Sequence, residues 1–428
     1  MTNPARQRGG VSIGSYDLAS ESEGILKQNR LDTVFFLFLL SFISLSPFIR
    51  FYSGALFLVF LSGSVFYLAI KRHFVPYPSL IFFTLIGILY VFLSYAEALP
   101  VAWTRFHNTS HIPQQASFVF ALYPIILAAQ LQWMFLFSHK RPAKYLLLLA
   151  CAGILSGFLH IFFLDGSTYY FMFARNAVAF IYVAILWFLI SSNAMLKPIW
   201  LTLLLVLLFL FGSSGQILVS GVVVATIVLS PWPRTTTNGA IFSMILLYGV
   251  GVIYIDEVIF TLWEFDHNTG IRLIFINDSL RALVQTIGIG VGFGTESIVN
   301  LYAGISHTHI EWDKEFSSFI NTSIHNSFVA IAFRLGLPGC IAFLWFFFVD
   351  AMPAKTTNTD ETRFTYGVFF LAFTALFVNV GLESPTYIVG IGFMLGLILA
   401  FKELARQRGE INLPNIDVSP NARRNGVV

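Results

Sequence analysis

Residues 325–349 read HNSFVAIAFRLGLPGCIAFLWFFFV, a stretch whose one formal charge is Arg334. As a helix it would be about 37 Å long, more than the roughly 30 Å of hydrocarbon in a bilayer. Eleven further apolar runs of this kind fall at about 32–50, 54–71, 78–96, 116–137, 144–164, 168–190, 197–212, 214–232, 239–260, 366–383 and 386–402. The whole chain agrees with them. Of its 428 residues 57% are apolar and 11% charged, with a mean hydropathy of +0.76. A soluble chain carries about 25% charged residues. This composition excludes disorder and a soluble multi-domain enzyme. The net charge of +3 also excludes a nucleic-acid binder. The fold class expected is all-α, a polytopic integral membrane protein of about 12 transmembrane helices with one large outward loop before the tenth.

The basic residues orient this map. With a cytoplasmic N-terminus, eighteen of the 25 Lys and Arg residues fall on inward segments, six on outward ones, and Arg334 alone lies within a span. That inward bias predicts both termini in the cytoplasm. The expected organisation is a polar tail at 1–31, helices one to nine over 32–260, an outward loop at 261–324, helices ten to twelve over 325–402, and a second tail at 403–428. The first tail lacks the features of a signal peptide. Cys151 and Cys340 lie inside apolar runs and read as small packers rather than as a disulfide framework.

The 64-residue outward loop stands apart from connections that are mostly under 20, and long loops are usually functional. It carries His267, His307 and His309, seven acids, and the stretch Ile271–Val284, whose near-helical apolar spacing predicts an amphipathic helix at the outer membrane surface. Gly288, Gly290, Gly292 and Gly294 alternate within it. They lack the following Lys-Ser/Thr of a phosphate-binding loop, and they read as a flexible, close-approach hinge. His307 and His309 lack a third ligand at credible spacing, so no metal is expected. In the tenth span, His325, Val329, Ala332, Gly336 and Gly339 would share one stripe of an uninterrupted helix. The small residues would let a neighbouring helix approach and hold His325 at the membrane boundary.

His325-Asn326, nine residues, then Gly336-x-x-Gly339 resembles the signature of the O-antigen ligase and polymerase superfamily. Phe173-Ala174-Arg175-Asn176, Gly270-Ile271-Arg272 with the glycine run, and Asn379-Val380-Gly381-Leu382-Glu383 resemble further segments in the family's order. The chain departs from it at Ser213-Ser214-Gly215, where many members have Ser-Arg-Gly. The resemblance implies a membrane glycosyltransferase of the bacterial inner membrane, acting at the periplasmic face on undecaprenyl-diphosphate-linked glycans as donor and acceptor. It implies His325 as catalytic base and Glu383 as its orienting or acceptor-binding partner. Arg175, Arg272 and Arg281 would clamp the diphosphate without metal or cofactor. Membrane lipid and a chain-length regulator or other export component would be its partners. A repeat-unit polymerase is preferred to a ligase acting on lipid A-core. A lipid-linked oligosaccharide transporter is the competing class, but the two halves of the chain show no repeat.

Overall fold

The structure, a computed structural model, describes residues 16–45, 49–99, 105–138, 142–163, 175–193, 195–211, 215–255, 257, 267–298, 320–321, 324, 326–378, 382 and 385–410. Its long helices are α1 (Tyr16–Leu45), α2 (Ile49–Lys71), α3 (Pro78–Tyr95), α4 (Ser117–Ser138), α5 (Pro142–Phe163), α6 (Arg175–Ser191) and α7 (Lys197–Phe211). They continue with α8 (Gly215–Leu229), α9 (Pro233–Ile253), α10 (His267–Gln285), α11 (Ser327–Trp345), α12 (Thr359–Val378) and α13 (Pro385–Gln407). The described part of each apolar run falls on these helices, and α10 lies within the stretch read as the long loop. Among the described residues, six helical segments are long and apolar enough to cross a membrane: Pro78–Tyr95, Thr109–Ser138, Pro233–Ile253, Ser327–Asp350, Thr359–Val378 and Ile388–Gln407. Helices satisfy their own backbone groups, which lipid cannot do.

One addition to the all-helical expectation is a small antiparallel sheet. β1 (Arg105–His107) pairs with β2 (Thr295–Ile298), which pairs with β3 (Ile320–Asn321). Arg105 stands opposite Ser297, and Ser297 opposite Asn321.

The packing axis is the pair α4 and α13. A Cβ on Gly396 would lie 2.5 Å from Ala129 Cβ and 2.8 Å from Ile126 O, so the two helices meet almost backbone to backbone. Small residues permit that approach. Trp133, fully buried, donates its indole N–H to Phe393 O at 2.9 Å and ties the same pair. Beside it, α11, the π-helical turn Phe346–Asp350 that follows it, and α12 share an aromatic seam in which Phe347 stacks on Phe369 at 4.7 Å and Phe328 lies 5.7 Å from Phe373.

Contacts between connections sort into two ends of the bundle. At one end Asp32 receives bonds from Lys71 at 2.7 Å and Tyr67 at 2.5 Å. There too Ser79 bonds Asp350, Lys402 donates to Asp350 O at 2.6 Å, and Arg363 donates to Ser230 O at 3.1 Å. At the other end β1 pairs with β2, and Leu382 N–H donates to the Ser327 hydroxyl at 3.2 Å.

His73 lies in the turn between α2 and α3. Its Nε2 is buried with no hydrogen-bond partner among the described residues. Burial first, and the Lys71 charge second, push its pKa down to about 4. An unfolded histidine takes its proton near 6.5. The folded state therefore resists protonation between those values, and stability present above about pH 6.5 is lost as pH falls toward 4. The unfolding midpoint of His73→Asn should fall less steeply than wild type between pH 7 and pH 4.5. Parallel profiles would show that His73 does not carry this dependence.

Candidate functional site: a glycine loop threaded into a broken helix

Helix α11 begins at a buried cap. Asn326 has an extended backbone, and its side-chain oxygen accepts the Val329 N–H at 3.1 Å. This satisfies one of the donors a helix start leaves bare. Ser327, buried, receives Leu382 N–H. The start of α11 and the connection between α12 and α13 are therefore fixed together.

Ten residues on, the helix breaks. Gly336 has φ +65° and ψ −169°, a conformation reserved for glycine. Pro338 follows with no N–H to offer Arg334 O. The carbonyls released by the break are taken by the glycine loop: Val291 N–H donates to Phe333 O at 2.8 Å and Gly292 N–H to Arg334 O at 3.0 Å. In return Leu337 N–H donates to Gly288 O at 2.8 Å. The loop supplies the bonds the helix has lost, in strand-like exchange. A Cβ on Gly290 would lie 2.5 Å from Gly336 N, so the two backbones touch.

The rest of the loop is pinned as closely. Tyr90 donates to Ile289 O at 2.6 Å, Ser94 accepts Phe293 N–H at 2.8 Å, and Gln115 accepts Gly294 N–H at 2.7 Å. Thr286 accepts Gly290 N–H at 3.2 Å. Gly288, Gly290, Gly292 and Gly294 all have positive φ, near 80°. The expected flexible hinge is thus corrected. The close approach is present, but the segment is hydrogen-bonded along its length and Val291 to Thr295 are buried. The stripe through Gly336 and Gly339 is corrected as well, because the break interrupts the 100° progression on which it was drawn.

Arg334 locks the assembly. It is 1% exposed, and its guanidinium donates to Gly292 O at 3.4 Å and Thr295 O at 2.5 Å. Bonds from a charged donor are worth about 1.5–3 kcal/mol each. Arg334→Met, which keeps bulk and leaves those carbonyls bare, should lower unfolding stability by about 3 kcal/mol. A midpoint in detergent within about 2 °C of wild type would show that the bonds do not hold the loop.

The remaining residues singled out in the sequence are not gathered at one point. Helix α10 forms where expected, but Arg272 to Ser279 are buried without interruption, with α9 and α11 packed against it. Its middle is internal rather than laid on a surface, while its last turn, with Arg281 and Val284, is exposed. Arg272 is 6% exposed, whereas Arg281 is exposed. Nine residues apart, the two point half a turn from each other and about 13 Å apart along the axis. They cannot grip one diphosphate from this helix. Arg175 is the first residue of α6, with its backbone alone described. His325, Glu383, His307 and His309 lie outside the described residues.

Sequence reading missed Tyr90, Ser94, Gln115 and the bonding role of Arg334. Their partners are backbone groups of a distant loop, which leave no spacing signal. The break itself had one, a glycine two residues before a proline inside an apolar run. Neither a protein-family model nor a curated protein matches this chain.

Proposed function

We propose that this chain is a bacterial inner-membrane glycosyltransferase that polymerises undecaprenyl-diphosphate-linked oligosaccharide repeat units at the periplasmic face, through twelve spans with both termini cytoplasmic. The observation that carries the reading is the Ser327–Leu382 hydrogen bond. It joins the two chain segments whose sequence neighbours are His325 and Glu383. The glycine loop and Arg334 add rigidity to the helix that His325 precedes, and catalytic groups need that kind of support.

In the proposed reaction an acceptor sugar hydroxyl attacks the anomeric carbon of the donor. A new carbon–oxygen bond forms as the bond to the diphosphate oxygen breaks, and the electron pair leaves with the diphosphate. His325 takes the hydroxyl proton. Attack opposite the leaving group inverts the anomeric centre. Of the arginines, Arg272 is the one on the inner face of α10, which packs on α11, so it is assigned to the diphosphate with Arg175. Arg281 is left without a role at that point.

The test uses purified protein in nanodiscs with lipid-linked repeat units alone, and a second reaction with lipid A-core added. A ladder of products in the first supports polymerisation. Product in the second alone makes the chain a ligase. With folded protein and authentic substrate, no product in either overturns glycosyl transfer, and flipping of the lipid-linked glycan in liposomes is then measured.

A further inference from the structure

A cleft of about 140 Å³ opens where α6 and α8 end and α7 and α12 begin. This is the end of the bundle opposite the Ser327–Leu382 contact. Ile190, Val228 and Leu229 form apolar wall, and Lys197, Arg363 and Asp360 form polar lining. Its volume is about ten times the 10–15 Å³ that a single water needs, so there is room for a tetrahedral anion.

The charges favour such an anion. The Lys197 ammonium has no hydrogen-bond or ion-pair partner among the described residues, its backbone N–H alone being bonded, to Asn193 O at 3.3 Å. Arg363 is held in place through Nε on Ser230 O at 3.1 Å and lies 3.6 Å from Asp360. Asp360 offsets one cation only, and its side chain is 59% exposed, so solvent screens its repulsion. One positive charge remains beside the buried Ile190 and Val228. Of the lining residues Leu229 is 51% exposed, and exposed apolar residues stand close in sequence to the others: Met195 at 88% and Ile199 at 60%, two residues either side of Lys197, and Trp232 at 73%. Trp232 follows Ser230 by two residues, and an exposed tryptophan beside cations is the composition of a membrane–water boundary.

We infer that this cleft binds the phosphate of an anionic membrane lipid, with Lys197 and Arg363 on the headgroup and the exposed apolar residues of α7 and α8 along an acyl chain. The site goes beyond the glycosyl-transfer reading and does not rest on it. Inorganic phosphate shares the headgroup's chemistry but would gain nothing from the apolar mouth.

The test measures lipid retention by native mass spectrometry, and the unfolding midpoint, on full-length protein in mild detergent. Phosphatidylglycerol, phosphatidylcholine and inorganic phosphate are added separately. Wild type should retain phosphatidylglycerol and gain stability with it, and respond to neither of the others. Each cation near a headgroup is worth about fivefold in affinity, so Lys197→Glu, which changes two charge units, should weaken retention at least about tenfold. Leu229→Trp, which narrows the mouth without changing charge, should weaken it also. Lys355→Gln, an exposed cation that does not line the cleft, should leave it unchanged. Equal retention by Lys197→Glu and wild type would overturn the site. Equal retention of phosphatidylcholine would overturn its selectivity for an anion. A midpoint raised by inorganic phosphate as far as by phosphatidylglycerol would overturn the lipid source in favour of a soluble phosphate.

Discussion

Gly336→Ala should destabilise the protein by about 5 kcal/mol and leave little folded material after extraction in detergent. Two effects add. At φ +65° and ψ −169° a residue with a Cβ is strained by about 1–3 kcal/mol. The new Cβ would also lie 2.1 Å from Ile289 O and 2.6 Å from Gly288 O. Overpacking usually costs about 1–3 kcal/mol, and the upper end applies where the obstacle is backbone that three hydrogen bonds hold in place. Domain stabilities are about 5–15 kcal/mol, so a loss of this size removes a large fraction. Gly249→Ala is the control. It sits in α9 with nothing within 4 Å of a new Cβ, and alanine should gain up to about 1 kcal/mol of helix propensity. Fluorescence-detected size exclusion and the unfolding midpoint would read both. If Gly336→Ala behaves as Gly249→Ala does, the loop is not interlocked with the helix.

This interlock marks where sequence reading stops. Apolar run length placed the described part of all twelve runs on helices, because length and hydropathy are local properties, and six helical segments among the described residues are long and apolar enough to cross a membrane. The contacts Asp32 with Lys71 and Ser79 with Asp350 join connections at one end of the bundle. The interior of α11 escaped because the stripe through His325, Gly336 and Gly339 took 100° per residue as given. Gly336 and Pro338 together deny that progression. The loop that repairs the break lies far away in sequence, and no local pattern could have identified it. Helix α10 was half legible. Its apolar spacing gave a helix over Ile271–Val284, yet Leu273, Ile274, Phe275 and Ile276 are consecutive and span 300° of the circumference. Four adjacent apolar residues require cover on nearly every side, which α9 and α11 provide. A surface helix would not have needed that. Arg272 and Arg281 looked equivalent by residue type, and only burial separates them.

The other large effect belongs to His325. His325→Ala should reduce turnover of lipid-linked repeat units by about 10²–10⁴-fold, the range general base catalysis supplies. The substitution lies ahead of the Asn326 cap and outside the bonds that fix α11, namely Asn326 to Val329 and Arg334 to Gly292 and Thr295. Its unfolding midpoint should therefore stay near wild type, which separates lost chemistry from lost fold. Removing the base should also change the shape of the pH profile. Wild-type turnover should rise with pH as the imidazole that serves as base loses its proton, and the residual turnover of His325→Ala should not follow that rise. Glu383→Gln, which keeps shape and removes charge, tests the partner assigned across the Ser327–Leu382 contact. If Glu383 orients the imidazole and stabilises its protonated form, the variant should lower turnover and move the midpoint of the pH profile downward. Turnover by His325→Ala above one-tenth of wild type, or a pH profile shared by the two proteins, would remove His325 as the base and leave glycosyl transfer to be explained by another residue.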